Sequence, residues 1–430
     1  MAQSKPIPKQ TLIILLDGVS YRIMNELQKE GYLPDFQKPS KIISTFPSTT
    51  VTGITGLFEP LGVKPAHGYD RIYYSYAENK VKGSILSSPA KYKDDYEFHF
   101  DDYKKTFFSN LLIYLAPGLS TNLDLERMEK YIYKNPDKPR YLIYIGGPDG
   151  SAHVLGKKRQ KHLVRFIAQK LRTIQSRFQK RYGKQLNIVL FSDHGFEYEP
   201  LKGISSATLR KYLGKQGFKL TKSIQDPSSV VATEWGNIGG AGIYTHPQSV
   251  AQVAHIINQI QGNELTFFMK DKIVTVLSHK GESAQINISK SATRFRYQEI
   301  KGDPLGYHEV TLELKKKGLM DSKGFANEKD WFKETKDMRF PDVPFRVYQA
   351  FNHLVENPAK IIFSTCDDYE YGSSLTRFLA NLRGRLKGTH GALFDTASDA
   401  FVMTNRPEWK MPEVMRYDDV FNYLLILTKY

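Results

Sequence analysis

Polar and apolar positions alternate in blocks along this chain, and three of the apolar blocks run into an aspartate. Thr11 to Leu16 (TLIILL) ends at Asp17-Gly18. Arg140 to Ile145 (RYLIYI) runs into Gly146-Gly147-Pro148-Asp149. Leu186 to Phe191 (LNIVLF) ends at Ser192-Asp193-His194-Gly195. Short continuous apolar runs of this kind predict strands buried on both faces of a parallel sheet. Between them the spacing turns helical. Tyr21 to Glu30 places Ile23, Met24 and Leu27 on one side, and His162 to Tyr182 predicts a long basic amphipathic helix. Strand, acidic loop and helix repeat as βα units. In such α/β folds ligands sit outside the carboxyl ends of the strands.

A fourth block, Lys41 to Ser44, leads into Phe46-Pro47-Ser48-Thr49-Thr50 and a helix-compatible run. Further on, Ala207 to Gln216 and Ser249 to Ile260 read as helices, with strand pieces between Val230 and Tyr244. Leu265 to Arg296 reads as successive β segments, and Lys301 to Phe345 as charged, loop-rich chain. Tyr73 to Phe108 is aromatic-rich and polar, with only short ordered pieces. Val347 to Leu354 predicts a helix, Ala359 to Ser364 a strand, Phe401 to Thr404 a last strand and Asp418 to Leu427 a closing helix. The expected organisation is a core over 1–279, an inserted β-rich or irregular cap over 280–345, and a second part of the core over 346–430.

Composition narrows the classes. The chain has 430 residues, 40% hydrophobic and 13% aromatic, enough for a real core and unlike a disordered chain. No apolar run reaches the length of a membrane span. The N-terminus lacks the apolar segment of a secretory signal, so the expectation is a non-exported protein unless a signal was removed. One cysteine, Cys366, excludes an intrachain disulfide and a cysteine-rich metal knuckle. The formal charge of +16 suits attraction to anions, but no nucleic-acid-binding motif accompanies it.

The candidate chemistry lies at the strand ends. Asp149 and His153 are four apart, Asp193 and His194 are adjacent, and Asp17 and His390 complete three aspartates and three histidines. Carboxylate oxygen and imidazole nitrogen are the donors of catalytic zinc, and this set, with Thr50 beside one metal, would serve two tetrahedral sites. Two cations about 4 Å apart stabilise the attacking and leaving oxygens of an in-line phosphoryl displacement. Thr50 is the candidate nucleophile; the plain alternative is that the hydroxyls merely cap a helix. His67 is expected to brace its loop, His162 to be exposed, and His99, His246, His255, His279, His308 and His353 to be surface or packing residues.

In order, LLDG (Leu15 to Gly18), FPSTT (Phe46 to Thr50) with a later HG at His67-Gly68, PDGSAHVLG (Pro148 to Gly156), FSDHG (Phe191 to Gly195) and GTHG (Gly388 to Gly391) span most of the chain. This series resembles the alkaline phosphatase superfamily, in particular its type I phosphodiesterase/nucleotide pyrophosphatase branch. The resemblance implies a three-layer α/β sandwich with a mostly parallel central sheet and a smaller cap. It implies one zinc on Asp149, His153 and His390 and another on Asp17, Asp193 and His194, with Thr50, three residues after the proline, bridging towards the second as nucleophile and passing through a phospho-enzyme; Thr49 and then Thr45 stand behind it. Nucleotide pyrophosphatases carry an Asn soon after the HG that helps hold the phosphoryl oxygen; here the sequence is HGYDRIYYS, and Arg71 is the candidate to hold that oxygen instead. The C/S-x-P-x-R motif of sulfatases is absent.

The expected activity is two-metal hydrolysis of a phosphodiester or pyrophosphate in a small molecule, with Zn2+ or Mn2+ as cofactor. The rivals are a phosphomonoesterase or phosphonate hydrolase with the same centre, and a non-catalytic binder of acidic membrane or nucleic acid.

Overall fold

The computed structural model describes residues 9–83, 94–101, 107–198, 202–234, 236, 238–373 and 386–428. The first eight residues, and parts of the Tyr73 to Phe108 stretch, lie outside the described residues. In chain order the strands are β1 (Lys9–Leu16), β2 (Ser40–Ile43), β3 (Tyr73–Ser75), β4 (Lys80–Lys82), β5 (Arg140–Ile145), β6 (Gln185–Phe191), β7 (Lys202–Ile204), β8 (Lys219–Leu220), β9 (Ser229–Ala232), β10 (Gly240–Thr245), β11 (Asn263–Lys270), β12 (Ile273–Ser278), β13 (Ser283–Ile288), β14 (Arg294–Lys301), β15 (Ala326–Asn327), β16 (Ile361–Thr365), β17 (Tyr369–Tyr371), β18 (Asp399–Thr404) and β19 (Val414–Arg416). The main helices are α1 (Tyr21–Lys29), α2 (Thr50–Phe58), α3 (Phe107–Leu115), α4 (Pro117–Lys134), α5 (Gly147–Leu155), α6 (Lys157–Tyr182), α7 (Ser206–Gly214), α8 (Val250–Asn258), α9 (His308–Lys316), α10 (Glu328–Thr335) and α11 (Val343–Asn352).

One sheet has six strands in the order β19-β2-β18-β6-β1-β5. β5, β1 and β6 run parallel, and β18 alone is antiparallel to its neighbours, so the sheet is mostly parallel. The even apolarity of β1 has a direct cause. Leu12, Ile14 and Leu16 point into a core shared with α1, α4 and α6, and Ile13 and Leu15 point into the other main core. Every second side chain is therefore buried on each face. The α1 N-terminus is capped by Ser20, whose hydroxyl accepts from Ile23 N at 3.3 Å. α6 ends at Gly183 with φ +63°, a left-handed C-cap that glycine adopts without strain.

The second sheet has nine strands in the order β15-β14-β13-β12-β11-β16-β10-β9-β8. Its pairs are antiparallel except β8 with β9. Ile362 faces the core that reaches the six-stranded sheet, while Ile361 and Phe363 face a third core with α7 and α8. Residues 280–345 supply β13, β14 and β15 at one end of this sheet, together with α9, α10 and the start of α11.

Three local expectations need correction. The stretch Lys301 to Phe345 is loop over only about half its length, since α9, α10 and the first residues of α11 lie within it. Val310, Leu314 and Trp331 bury a face in this stretch that its many charges obscure. Phe401 to Thr404 is not in the last strand, because β19 follows and pairs with β2 at the sheet edge. α4, of 18 residues, occupies chain for which no element was expected.

Candidate metal centre

The β1–α1 turn, the start of α2, helix α5, the turn after β6 and the loop before β18 converge at one end of the six-stranded sheet. They bring together Asp17, Thr50, Asp149, His153, Asp193, His194 and His390. All are buried except Thr50, which is partly open. Donor atoms of Asp17, Asp193 and His194 lie within 4.8 Å of one another, and so do those of Asp149, His194 and His390. His153 Nε2 is 3.5 Å from Asp149 Oδ1, and His390 Nε2 is 3.8 Å from the same oxygen. His194 Nε2 is 3.5 Å from Asp17 Oδ1 and 3.6 Å from Asp193 Oδ2. His194 thus lies between the two groups, its ring stacked 3.9 Å from that of His390.

The three imidazoles share one arrangement. Nδ1 of His153 faces the Gly388 carbonyl at 3.1 Å, Nδ1 of His194 that of Gly195 at 2.9 Å, and Nδ1 of His390 that of Ser48 at 2.8 Å. A carbonyl only accepts, so each Nδ1 carries the hydrogen and each Nε2 turns a lone pair towards the carboxylates. Burial, with His194 nearby, pushes His153 down to about 3. Burial also lowers His194, and burial with the neighbouring imidazoles holds His390 well below the ordinary range. The rings are therefore neutral, the state that binds a cation. Asp193 is pushed well above the usual carboxylate range by burial and then by Asp17. Its Oδ2 is buried without a hydrogen-bond partner among the described residues. Crowded carboxylates and outward nitrogen lone pairs fit a divalent cation.

The FPSTT segment separates capping from chemistry. Thr49 is the N-cap of α2: its Oγ1 accepts from Thr52 N at 3.3 Å and donates to Tyr69 O at 2.7 Å. Thr45 is fully buried, 3.1 Å from Pro47 O and 3.2 Å from Thr52 Oγ1. Thr50, the first residue of α2, needs no capping bond. Its hydroxyl donates to Asp17 Oδ1 at 3.3 Å and lies 3.5 Å from His194 Nε2. Ser48 fastens the segment to the His390 loop, its Oγ donating to Ala397 O at 3.0 Å and accepting from Gly391 N at 3.2 Å.

Gly18 shows why LLDG ends in glycine. Its φ is +65°, and an added Cβ would meet Asp149 Oδ1 at 3.0 Å and His194 Cε1 at 3.2 Å. Its N–H donates to Asp193 Oδ1 at 3.1 Å. His67 braces its loop, with N and Nδ1 on Asp94 Oδ1 at 2.9 and 2.8 Å. Arg71 lies 3.5 Å from Glu97. Two tyrosines escaped the sequence reading. Tyr144 donates to Asp17 Oδ2, and Tyr114 donates to Asp149 Oδ2 at 3.4 Å. The signal for Tyr144 was its hydroxyl at the penultimate position of β5, in register with Leu15.

No protein-family model and no curated protein matches the sequence. Solved structures do match, and they define the fold as the alkaline-phosphatase-like α/β fold of the nucleotide pyrophosphatase type. Human ectonucleotide pyrophosphatase/phosphodiesterase 5 superposes with a TM-score of 0.52 at 14% identity, over 98% of this chain and 95% of that one. An inactive variant of the murine protein, in complex with AMP, gives 0.53 at 12% over 98% and 95%. Phosphonoacetate hydrolase from Sinorhizobium meliloti, in complex with phosphonoacetate, gives 0.51 at 12% over 98% and 96%.

Proposed function

We propose that the protein hydrolyses phosphodiester or pyrophosphate bonds, with two divalent cations held by Asp17, Asp149, His153, Asp193, His194 and His390 and with Thr50 as nucleophile. The observation that carries this is the Thr50 hydroxyl, 3.3 Å from Asp17 Oδ1 and 3.5 Å from His194 Nε2, while Thr49 does the capping. When bound, the cations would supply the positive charge that makes the hydroxyl acidic enough to attack and that offsets charge on the entering and leaving oxygens. The O/N donor set suits Zn2+ and admits Mn2+.

In this reading the chain's own groups do the following. Asp17 accepts the Thr50 hydrogen bond and leaves the oxygen's lone pairs towards phosphorus. The N-terminal end of α2 favours the negative charge of the phosphoryl group. Thr50 Oγ1 forms a bond to phosphorus as the bond to the leaving alcohol or phosphate breaks; the hydroxyl proton passes to solvent, and the leaving oxygen takes a proton up from it. Water then adds to the phosphothreonine and releases Thr50 as its hydroxyl. The backbone carbonyls behind the three histidines keep Nε2 aimed inward throughout. Structural neighbours solved with AMP and with phosphonoacetate are in keeping with a small phosphoryl-containing substrate.

The phosphonoacetate hydrolase likeness also favours a second reading, cleavage of a phosphonate or monoester at the same centre. Turnover of bis-nitrophenyl phosphate against nitrophenyl phosphate separates the two. Faster hydrolysis of the diester is expected, and faster hydrolysis of the monoester selects the second. No turnover of either by the zinc-loaded protein leaves the non-catalytic binder.

A further inference from the structure

We propose that the surface formed by α3, α4 and the end of α5 docks on an acidic phospholipid bilayer. Large apolar side chains are normally scattered singly on a protein surface. Here Leu111 and Leu115 on α3 and Leu119 and Leu123 on α4 recur at four-residue intervals, with only Ala116 between the two helices. They are 41%, 44%, 53% and 45% exposed. Leu155, 49% exposed, ends α5, the helix against which α3 and α4 both pack.

The leucines are bordered by cations on two sides. Further along α4, Lys130 and Lys134 line, with Leu123, a groove of about 470 Å³ that also holds Glu126 and Arg127, the latter paired with Asp124. After Leu155 and Gly156 come Lys157, paired with Glu26 at 2.9 Å, and then Lys158 and Arg159, all exposed at the start of α6. Leucines that enter the acyl boundary beside lysines and arginines at headgroup level are the makeup of an interfacial membrane surface. The charge also decides between occupants. A second copy of this chain carries the same +16 and would set these cations against like charge, whereas an acidic leaflet neutralises them. Tyr114, 44% exposed on α3, reaches Asp149 Oδ2, so docking would bring the buried carboxylates close to the bilayer. The surface stands independently of the proposed chemistry.

The test is co-sedimentation of the full chain with phosphatidylcholine vesicles and with the same vesicles containing phosphatidylserine. Wild type is expected to bind the acidic vesicles, less well as salt rises. Leu119→Ser with Leu123→Ser should weaken that binding at least about tenfold. Lys130→Glu with Lys134→Glu should weaken it on acidic vesicles alone. Melting temperature and turnover of a soluble nitrophenyl ester should stay at wild-type values in both variants. Absence of wild-type binding to acidic vesicles, or undiminished binding by the leucine variant, overturns the proposal. So does a wild-type dimer in sedimentation that the leucine substitutions dissociate, which assigns the surface to a second copy.

Discussion

His390 Nδ1 lies 2.8 Å from the carbonyl oxygen of Ser48, so the loop that presents Thr50 and the loop that brings the last histidine are one fastened unit. Side-chain bonds of Ser48 to Ala397 and Gly391 close the same junction. The fully buried Arg346 spans it from behind, donating to Thr45 O at 3.0 Å and Leu393 O at 2.9 Å.

Ser48→Ala removes the side-chain clasp and leaves the carbonyl in place. Partners behind a ligating histidine are worth about 10- to 100-fold in metal affinity. Because that carbonyl is retained, a loss no larger than the lower end of that range is expected by calorimetric titration with Zn2+, with turnover largely recovered at saturating metal. Unchanged affinity would show that the backbone alone holds His390.

Thr50→Ala and Thr49→Ala should fail in different ways. The first is expected to lower turnover about 10³-fold or more while metal content and melting temperature stay as in wild type. The second loses an N-cap worth about 1 kcal/mol of stability and keeps measurable turnover. The opposite pattern would move the nucleophile to Thr49.

Arg346→Met should be severe although it lies away from the candidate ligands. Burial lowers the guanidinium to about 10, still charged at neutral pH. Its replacement takes the guanidinium donor from the buried carbonyls of Pro341 and Thr45 and leaves that of Leu393 with the Ser398 hydroxyl at 3.3 Å. A loss of about 3 kcal/mol in denaturant unfolding is expected.

Removal of divalent cations with a chelator should abolish turnover and lower the melting temperature, because Asp193 and its neighbouring carboxylates are then left facing one another. Zn2+ added back should restore both. Full activity in the chelated protein would end the two-metal reading.

His67 gives a pH signature away from the centre. Its bond to Asp94 raises its pKa above 6.5, against the effect of burial. The folded state therefore holds the proton more tightly than the unfolded chain. That contribution is fully present below 6.5 and disappears as pH climbs through the raised value. The stability difference between wild type and His67→Gln should shrink across that window. A difference that does not change with pH would place the proton elsewhere.

The parallel strands were legible because burial on both faces writes a run of apolar residues, as in β1. The convergence of Asp17, Asp149, Asp193 and His390 was legible because each sits where a strand or tight loop ends. Tyr144 was hidden because it reads as one more large residue of a buried strand. α4 was hidden because its buried face includes Ser120, Thr121 and Asp124, which blur the apolar period. α9 and α10 were masked by lysines and glutamates on their outer faces.

β18 lies between β2 and β6 although it is made almost last, more than 350 residues after β2. A ribosome therefore releases β2 and β6 long before the strand that joins them exists. Until it arrives, both carry open edges and the nascent chain has no His390. A chain interrupted before Asp399 would lose more than a tail: without β18 and β19, β2 would have neither of its sheet neighbours and β6 would keep an open edge, and such a product is expected to need chaperone protection or to be degraded.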